Sequence, residues 1–286
     1  MKPIYTVTLL AVLLASLSAL QATESPAALA NPERMPAFSW DHVPLYVHIR
    51  KDTAFTDEEI KYLATFPLIT FEKATGHTDS GSVEAGTLKA ARAVKAINPA
   101  TKMRKMLGPR KLMLANILRA RFPDSGLRYI NALDGSYIEG FQGAVAMSKK
   151  DYVAQGMEAF QKAAQQGSII GFTCGLGNNQ QDADETPRAA ARNRNSNAVK
   201  RDAKSRFDYQ LAIFLICAEK YSYFDLKDSY DAKTSKTWMT HPADYDRPLG
   251  EPKGPALRDG YTYTREFAHA SVQLDIENET AKIVWK

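Results

Sequence analysis

Cysteine is nearly missing from this chain, with two in 286 residues. Cys174 lies in the apolar run 169–174 and Cys217 in the helical run 211–218. Both positions suit small core hydrophobes better than a disulfide staple. Histidine is also scarce, and the five present are scattered without zinc-ligand spacing, so no structural metal is expected. Long hydrophobic runs are absent beyond the N-terminus. The run 7–17 falls short of the roughly 20 residues that span a bilayer. With Lys2 before it and the small residues Ser16, Ser18, Ala19 and Ala22 at its end, it reads as an export signal over 1–22. An uncleaved anchor is the alternative. No later segment is apolar enough to cross a membrane, so a soluble, secreted mature chain is expected. Residues 23–38, with Pro26, Pro32 and Pro36, read as a flexible leader.

Charge of one sign is not dominant either. The net charge of +5 is weak evidence for an anionic partner. The basic stretch from Arg188 to Arg206 has no interleaved aromatic before Phe207. Nucleic-acid binding would want aromatic rings for base stacking, so a solvated surface is the better reading and no nucleic-acid partner is expected. What is present is an ordinary globular composition, 44% hydrophobic and 24% charged.

The pattern along the chain alternates strand and helix. Strands are expected at 44–50, 67–73, 111–117, 133–139, 168–174 and 221–224. Thr56 and Glu59 form a capping box that opens one helix, and Ser148 and Asp151 suggest another. Ala90, Ala93, Val94 and Ile97 share one helical face, and Val153, Met157, Phe160 and Ala164 share a second. Near-continuous apolar strands joined by crossover helices imply a parallel sheet covered on both faces. Polar residues gather at the strand ends: His48, Arg50, Glu72, Lys73, Asn116, Glu139, Thr173 and Tyr223. That distribution belongs to an α/β fold of the (β/α) TIM-barrel type with its site at one rim. The tail differs. Val272, Leu274 and Ile276 alternate with polar residues, as do Ala281, Ile283 and Trp285, which predicts a hairpin in a C-terminal extension over 226–286. With residues 261–267 the hairpin should form a small antiparallel sheet.

One stretch does not fit. The helix ending at Asn98-Pro99 is followed within about ten residues by a second stop, Gly108-Pro109, with nothing strand-like between. A barrel of eight strands takes about 250 residues. Residues 39–225 offer six strands. The spacing therefore predicts at least one missing βα unit near 102–107, and an open or distorted sheet.

Glu139 closes the fourth strand just before Gly140, where parallel barrels keep catalytic carboxylates. It is the leading catalytic candidate, with a rim salt bridge as the alternative. Asp134 lies five residues back, on the opposite face of the strand, and reads as structural. Glu72, Lys73, His77, Asn116, Tyr137 and Tyr223 are candidate substrate contacts, each with a rim hydrogen bond or ion pair as its alternative. His48 reads as a satisfied core histidine.

The runs 66–77, 111–116, 133–141 (Leu-Asp-Gly-Ser-Tyr-Ile-Glu-Gly-Phe) and 260–272 resemble the hypothetical glycoside hydrolase-like family fifteen. The resemblance implies a secreted TIM-barrel protein acting on polysaccharide or oligosaccharide by paired-carboxylate chemistry, without a cofactor. It also implies a further strand after Asn-Pro-Ala-Thr-Lys and a later Phe-Leu-Asp-Gly-type motif carrying the second carboxylate. This chain passes instead from Lys102 straight to Met103-Arg-Lys-Met-Leu-Gly-Pro. A non-catalytic carbohydrate binder or degenerate paralogue is therefore the alternative, and a spliced product or misjoined gene would give the same junction.

Overall fold

The computed structural model describes residues 35–103, 112–119, 123–139, 141, 148–175 and 203–286. The expected export signal, residues 23–34 of the leader, Lys111, the 104–110 junction, Gly140, the Gly-Asn loop after Gly175 and most of the basic stretch lie outside them.

The chain is a mixed α/β fold with parallel sheets and a small antiparallel C-terminal sheet. The parallel strands are β1 (Val47–Ile49), β2 (Leu68–Phe71), β3 (Lys102–Met103), β4 (Leu114–Ala115), β5 (Gly135–Glu139), β6 (Ile169–Cys174) and β7 (Ser222–Leu226). They form two ladders, β1-β2-β3 and β4-β5-β6-β7. A parallel bridge from Leu45 to Phe224 joins them. There the Phe224 amide donates to the Pro44 carbonyl at 2.7 Å, and the Tyr46 amide to the Phe224 carbonyl at 3.1 Å. The strand order is therefore β4-β5-β6-β7-β1-β2-β3, with β3 and β4 at opposite ends.

This corrects the expectation of six strands with nothing strand-like after Asn98-Pro99. Lys102 and Met103 pair with Leu68 and Ile69. Two half-buried residues leave no apolar run to read. The pairing is made by backbone, with the Lys102 amide donating to the Pro67 carbonyl at 2.8 Å. Only residues 104–113 join β3 to β4, fewer than the dozen or more that a parallel crossover takes.

Helices α1 (Asp57–Leu63), α2 (His77–Ser80), α3 (Val83–Ile97), α4 (Pro123–Tyr129), α5 (Lys149–Gln165) and α6 (Ala203–Cys217) complete the described elements, with two 3-10 turns. Both halves of the Thr56–Glu59 capping box form. Ser82 and Ser148 cap α3 and α5 through the amides of Ala85 and Asp151. The expected core face of α5 is buried throughout. On α3, Ala90 and Val94 are buried but Ile97 is 52% exposed.

The strand faces divide cleanly. Val47, Ile49 and Ile69 pack on α1 and α3, while Ile138, Phe172 and Phe224 pack on α5 and α6. The opposite face carries an inner cluster of Tyr46, Leu68, Leu112, Leu114, Ile169 and Tyr223, closed by Met35. Gly171 is small for a reason. A Cβ there would lie 2.6 Å from the Tyr46 ring, so glycine makes room for that ring in the interior. Cys174 and Cys217 are both free thiols buried in the core.

The tail forms β8 (Leu257–Asp259), β9 (Thr262–Glu266), β10 (Ala270–Asp275) and β11 (Thr280–Trp285), ordered β11-β10-β9-β8. Its inward residues Tyr263, Val272, Leu274 and Ile276 join the α5/α6 core. Arg265 reaches the C-terminal end of α6, donating to the Leu215 and Ile216 carbonyls at 3.1 and 3.3 Å and to Glu219 at 2.8 Å. No helix of the described residues is long and apolar enough to cross a membrane.

Candidate active site at the strand ends

Parallel pairing keeps residues of one register row on one face. Glu139, Thr173 and Asp225 make such a row across β5, β6 and β7. The row beneath is Tyr137, Gly171 and Tyr223. Glu139, Thr173 and Asp225 thus stand one step above the inner apolar cluster, at the C-terminal ends of their strands.

Glu139 is exposed, and its carboxylate accepts from the Asn116 side-chain amide at 3.2 Å. Asn116 sits in the turn after β4, which Ser136 fastens. The Ser136 hydroxyl donates to the Ala115 carbonyl and accepts from the amides of Ile117 and Leu118. Thus β5 supplies both Glu139 and the residue that orients its partner.

Asp225 is 8% exposed and Lys227 1%. The Lys227 ammonium donates to Asp225 at 2.5 Å, and the His48 backbone amide donates to the same oxygen at 3.1 Å. Burial pushes the Asp225 carboxyl above the usual range, against the pull of Lys227 and the His48 amide. Burial likewise pushes the Lys227 ammonium down, against Asp225. Thr173 also bonds Asp225, and its hydroxyl meets the Tyr46 phenol.

His48 is 1% exposed and lies 3.5 Å from the Glu72 carboxylate. Its hydrogen bond to Glu72 holds the Glu72 carboxyl below its ordinary value, although burial opposes this. Tyr137 and Tyr230 pack edge-on against the His48 ring, at 4.6 and 4.7 Å. The Lys227 ammonium also lies 4.7 Å from the Tyr230 ring centre. Burial, then the Glu139 carboxylate, raises the Tyr230 phenol pKa.

The structure therefore brings Glu139, Asn116, Tyr137 and Glu72 to one end of the strands, with His48 below Glu72. Lys73 follows β2 as an exposed loop residue, and His77, also exposed, opens α2. The His77 ring donates to the Ala74 carbonyl at 2.9 Å, which holds it to its own loop. Tyr223 is corrected. It is the second residue of β7 rather than its end, has no exposure, and donates its hydroxyl to the Pro36 and Ala37 carbonyls. It belongs to the inner core. Asp134 is structural, accepting from the Met113 amide at 2.6 Å.

Asp225, Lys227, Tyr46 and Tyr230 were not foreseen. Ending the last strand at Phe224 left both charges outside it. The alternation Tyr223, Asp225, Lys227 against Phe224 and Leu226 was the available signal. Among the described residues, no group of three or more His, Cys, Asp or Glu is placed to hold a metal ion. A surface depression of about 430 Å³ lies between α4, α5 and β8, lined by Asp124, Asp151, Glu158 and Arg258 among others. It contains none of the strand-end residues.

A family model described as hypothetical glycosyl hydrolase family 15 matches residues 70–271. That span carries Glu72, Asn116, Glu139, Thr173, Asp225 and Lys227, while His48 precedes it. No curated protein matches the chain.

Proposed function

The chain belongs to the hypothetical glycosyl hydrolase family 15, and on that premise we propose that it is an exported protein that hydrolyses glycosidic bonds in polysaccharide or oligosaccharide. The supporting observation is the gathering of Glu139, Asn116, Tyr137, the His48–Glu72 pair and the Asp225–Lys227 pair at the C-terminal ends of parallel strands. Parallel (β/α) barrels build active sites at that end. The strand order β4-β5-β6-β7-β1-β2-β3 is that of such a barrel opened between β3 and β4, and the proposal reads the fold so.

In this reading Glu139 is the general acid. It is exposed, stands on a strand end and has an amide donor on one oxygen. Its protonated form would give a proton to the glycosidic oxygen as the C–O bond breaks. Tyr137, Glu72 and Asn116 would contact sugar hydroxyls and ring faces, with Lys73 and His77 further along the chain after β2. No metal or cofactor is required by this chemistry.

The opening between β3 and β4 favours a second reading, a carbohydrate-binding relative without catalysis. One experiment separates them. The wild-type chain and Glu139→Gln are incubated with cello-, xylo-, laminari- and malto-oligosaccharides, following both reducing ends and binding heat. Hydrolysis that falls by about 10²–10⁴-fold in Glu139→Gln supports the acid role. Binding without hydrolysis in the wild type selects the second reading. Hydrolysis unchanged in Glu139→Gln removes Glu139 from the chemistry.

A further inference from the structure

We propose that Asp225 is the second catalytic carboxylate, acting as the general base opposite Glu139 in hydrolysis with inversion. The inference rests on the hydrolase reading above. The resemblance to the family had placed the second carboxylate in a segment this chain lacks. The register offers another within the chain.

Glu139 and Asp225 stand in one row and leave the same face, with Thr173 between them. Two strand spacings of about 4.8 Å put their Cα atoms about 10 Å apart. Side chains reaching inward from that separation suit the roughly 6.5–9.5 Å between carboxyls of inverting enzymes, and not the about 5–5.5 Å of retaining ones. The Tyr230 ring packs edge-on against His48 and faces the Lys227 ammonium that binds Asp225, which puts it beside the Asp225 end of this row.

The two carboxylates have different surroundings. Glu139 is open to solvent and has a neutral amide partner. Asp225 has a buried ammonium, a backbone amide and a hydroxyl directed at it. These donors pull the Asp225 carboxyl down, but burial is the larger effect and pushes it up, which makes the carboxylate a stronger base than one in water. A carboxyl separation in the inverting range leaves room for one water.

The step balances. Asp225 takes a proton from that water while the water oxygen bonds to the anomeric carbon. The glycosidic C–O bond breaks, its electron pair stays on the leaving oxygen, and Glu139 supplies the proton to that oxygen. Lys227 keeps its proton and holds Asp225 in place, which makes it a positioning residue.

The test uses the full chain with the same four oligosaccharide series. Proton NMR of the wild-type reaction identifies the anomer first released, and needs no variant. Asp225→Asn keeps the size of the side chain and an acceptor for the His48 amide. The inference expects the inverted anomer and a fall in kcat of about 10²–10⁴-fold in Asp225→Asn with KM nearly unchanged. A retained anomer overturns it, whether or not the variant folds. So does an Asp225→Asn protein that hydrolyses within tenfold of wild type. Hydrolysis lost in Glu139→Gln but kept in Asp225→Asn removes this inference alone. A wild type that hydrolyses none of the substrates overturns the hydrolase reading and this inference together.

Discussion

Lys227 has almost no solvent contact, yet its ammonium is charge-paired with Asp225 and faces the Tyr230 ring. Taking one partner of a buried pair leaves the other charge stranded, which costs about 3–5 kcal/mol. Lys227→Met should therefore destabilise the chain by that amount in urea unfolding. The double variant Lys227→Met with Asp225→Asn should be more stable than Lys227→Met alone, because the stranded carboxylate is gone. Equal or lower stability of the double variant would mean that the pair is not the origin of the cost. At this scale the sequence was informative where chemistry and strand position coincide. Glu139 follows four residues of clear strand pattern and precedes a glycine, so its place at a strand end could be read directly. Asp225 could not be found by seeking an apolar run, because a strand whose inward face turns polar at its end breaks that run. Tyr223 was placed at the wrong end of its strand for the same reason.

The loop after β7 is an element organised by one carboxylate. Asp228 accepts from the hydroxyls of Ser235 and Thr237 and from the Lys236 amide. Burial would raise its pKa, but these donors outweigh burial and hold it below the usual value. A depressed folded-state pKa means the stabilisation is complete above the ordinary value of about 3.9 and is lost as the pH falls through the lower folded value. Amide exchange at Lys236 and Thr237 should therefore accelerate in acid before the helices lose their protection. Protection at those amides that persists until global acid unfolding would rule out this role for Asp228. The same loop carries Trp238 into the core beside α1 and seats Asp231 at 3.7 Å from Arg50, so its loss would uncover the site wall above β1. Legibility among the elements followed burial. The strands β5 and β6 and the helix α5 bury continuous patterns and were located to within a residue or two. β3 was missed because its two residues are half-buried at an edge. β4 was expected over seven residues and spans two, since Asn116 and Ile117 already belong to the turn that presents the site.

At the scale of the molecule, α6 joins the β6 and β7 strands to the C-terminal sheet. Residues 209–217 of this helix are all buried. One side meets β6 and β7, with Phe214 at 6.3 Å from Phe172 and 5.2 Å from Phe224. The other side is covered by the C-terminal sheet through Val272, Leu274 and Ile276. A helix apolar all round must be enclosed on every side. The tail sheet is therefore part of the same core as the strands that carry the site, although its antiparallel pattern sets it apart in the sequence. Arg265 strengthens the join, because its guanidinium occupies the carbonyls that end α6 and pairs with Glu219. Arg265→Met should cost about 3 kcal/mol through the loss of charge-assisted bonds to buried carbonyls. Removal of residues 255–286 should go further. It would expose the outer face of α6 to water, and with it the support of β6 and β7 on which Thr173 and Asp225 stand. The truncated chain should show no cooperative thermal transition and no fixed aromatic signal in near-ultraviolet circular dichroism. A truncated chain that still unfolds cooperatively near the midpoint of the full chain would show that α6 does not depend on the sheet. The strand-end site would then stand on the parallel strands and their helices alone.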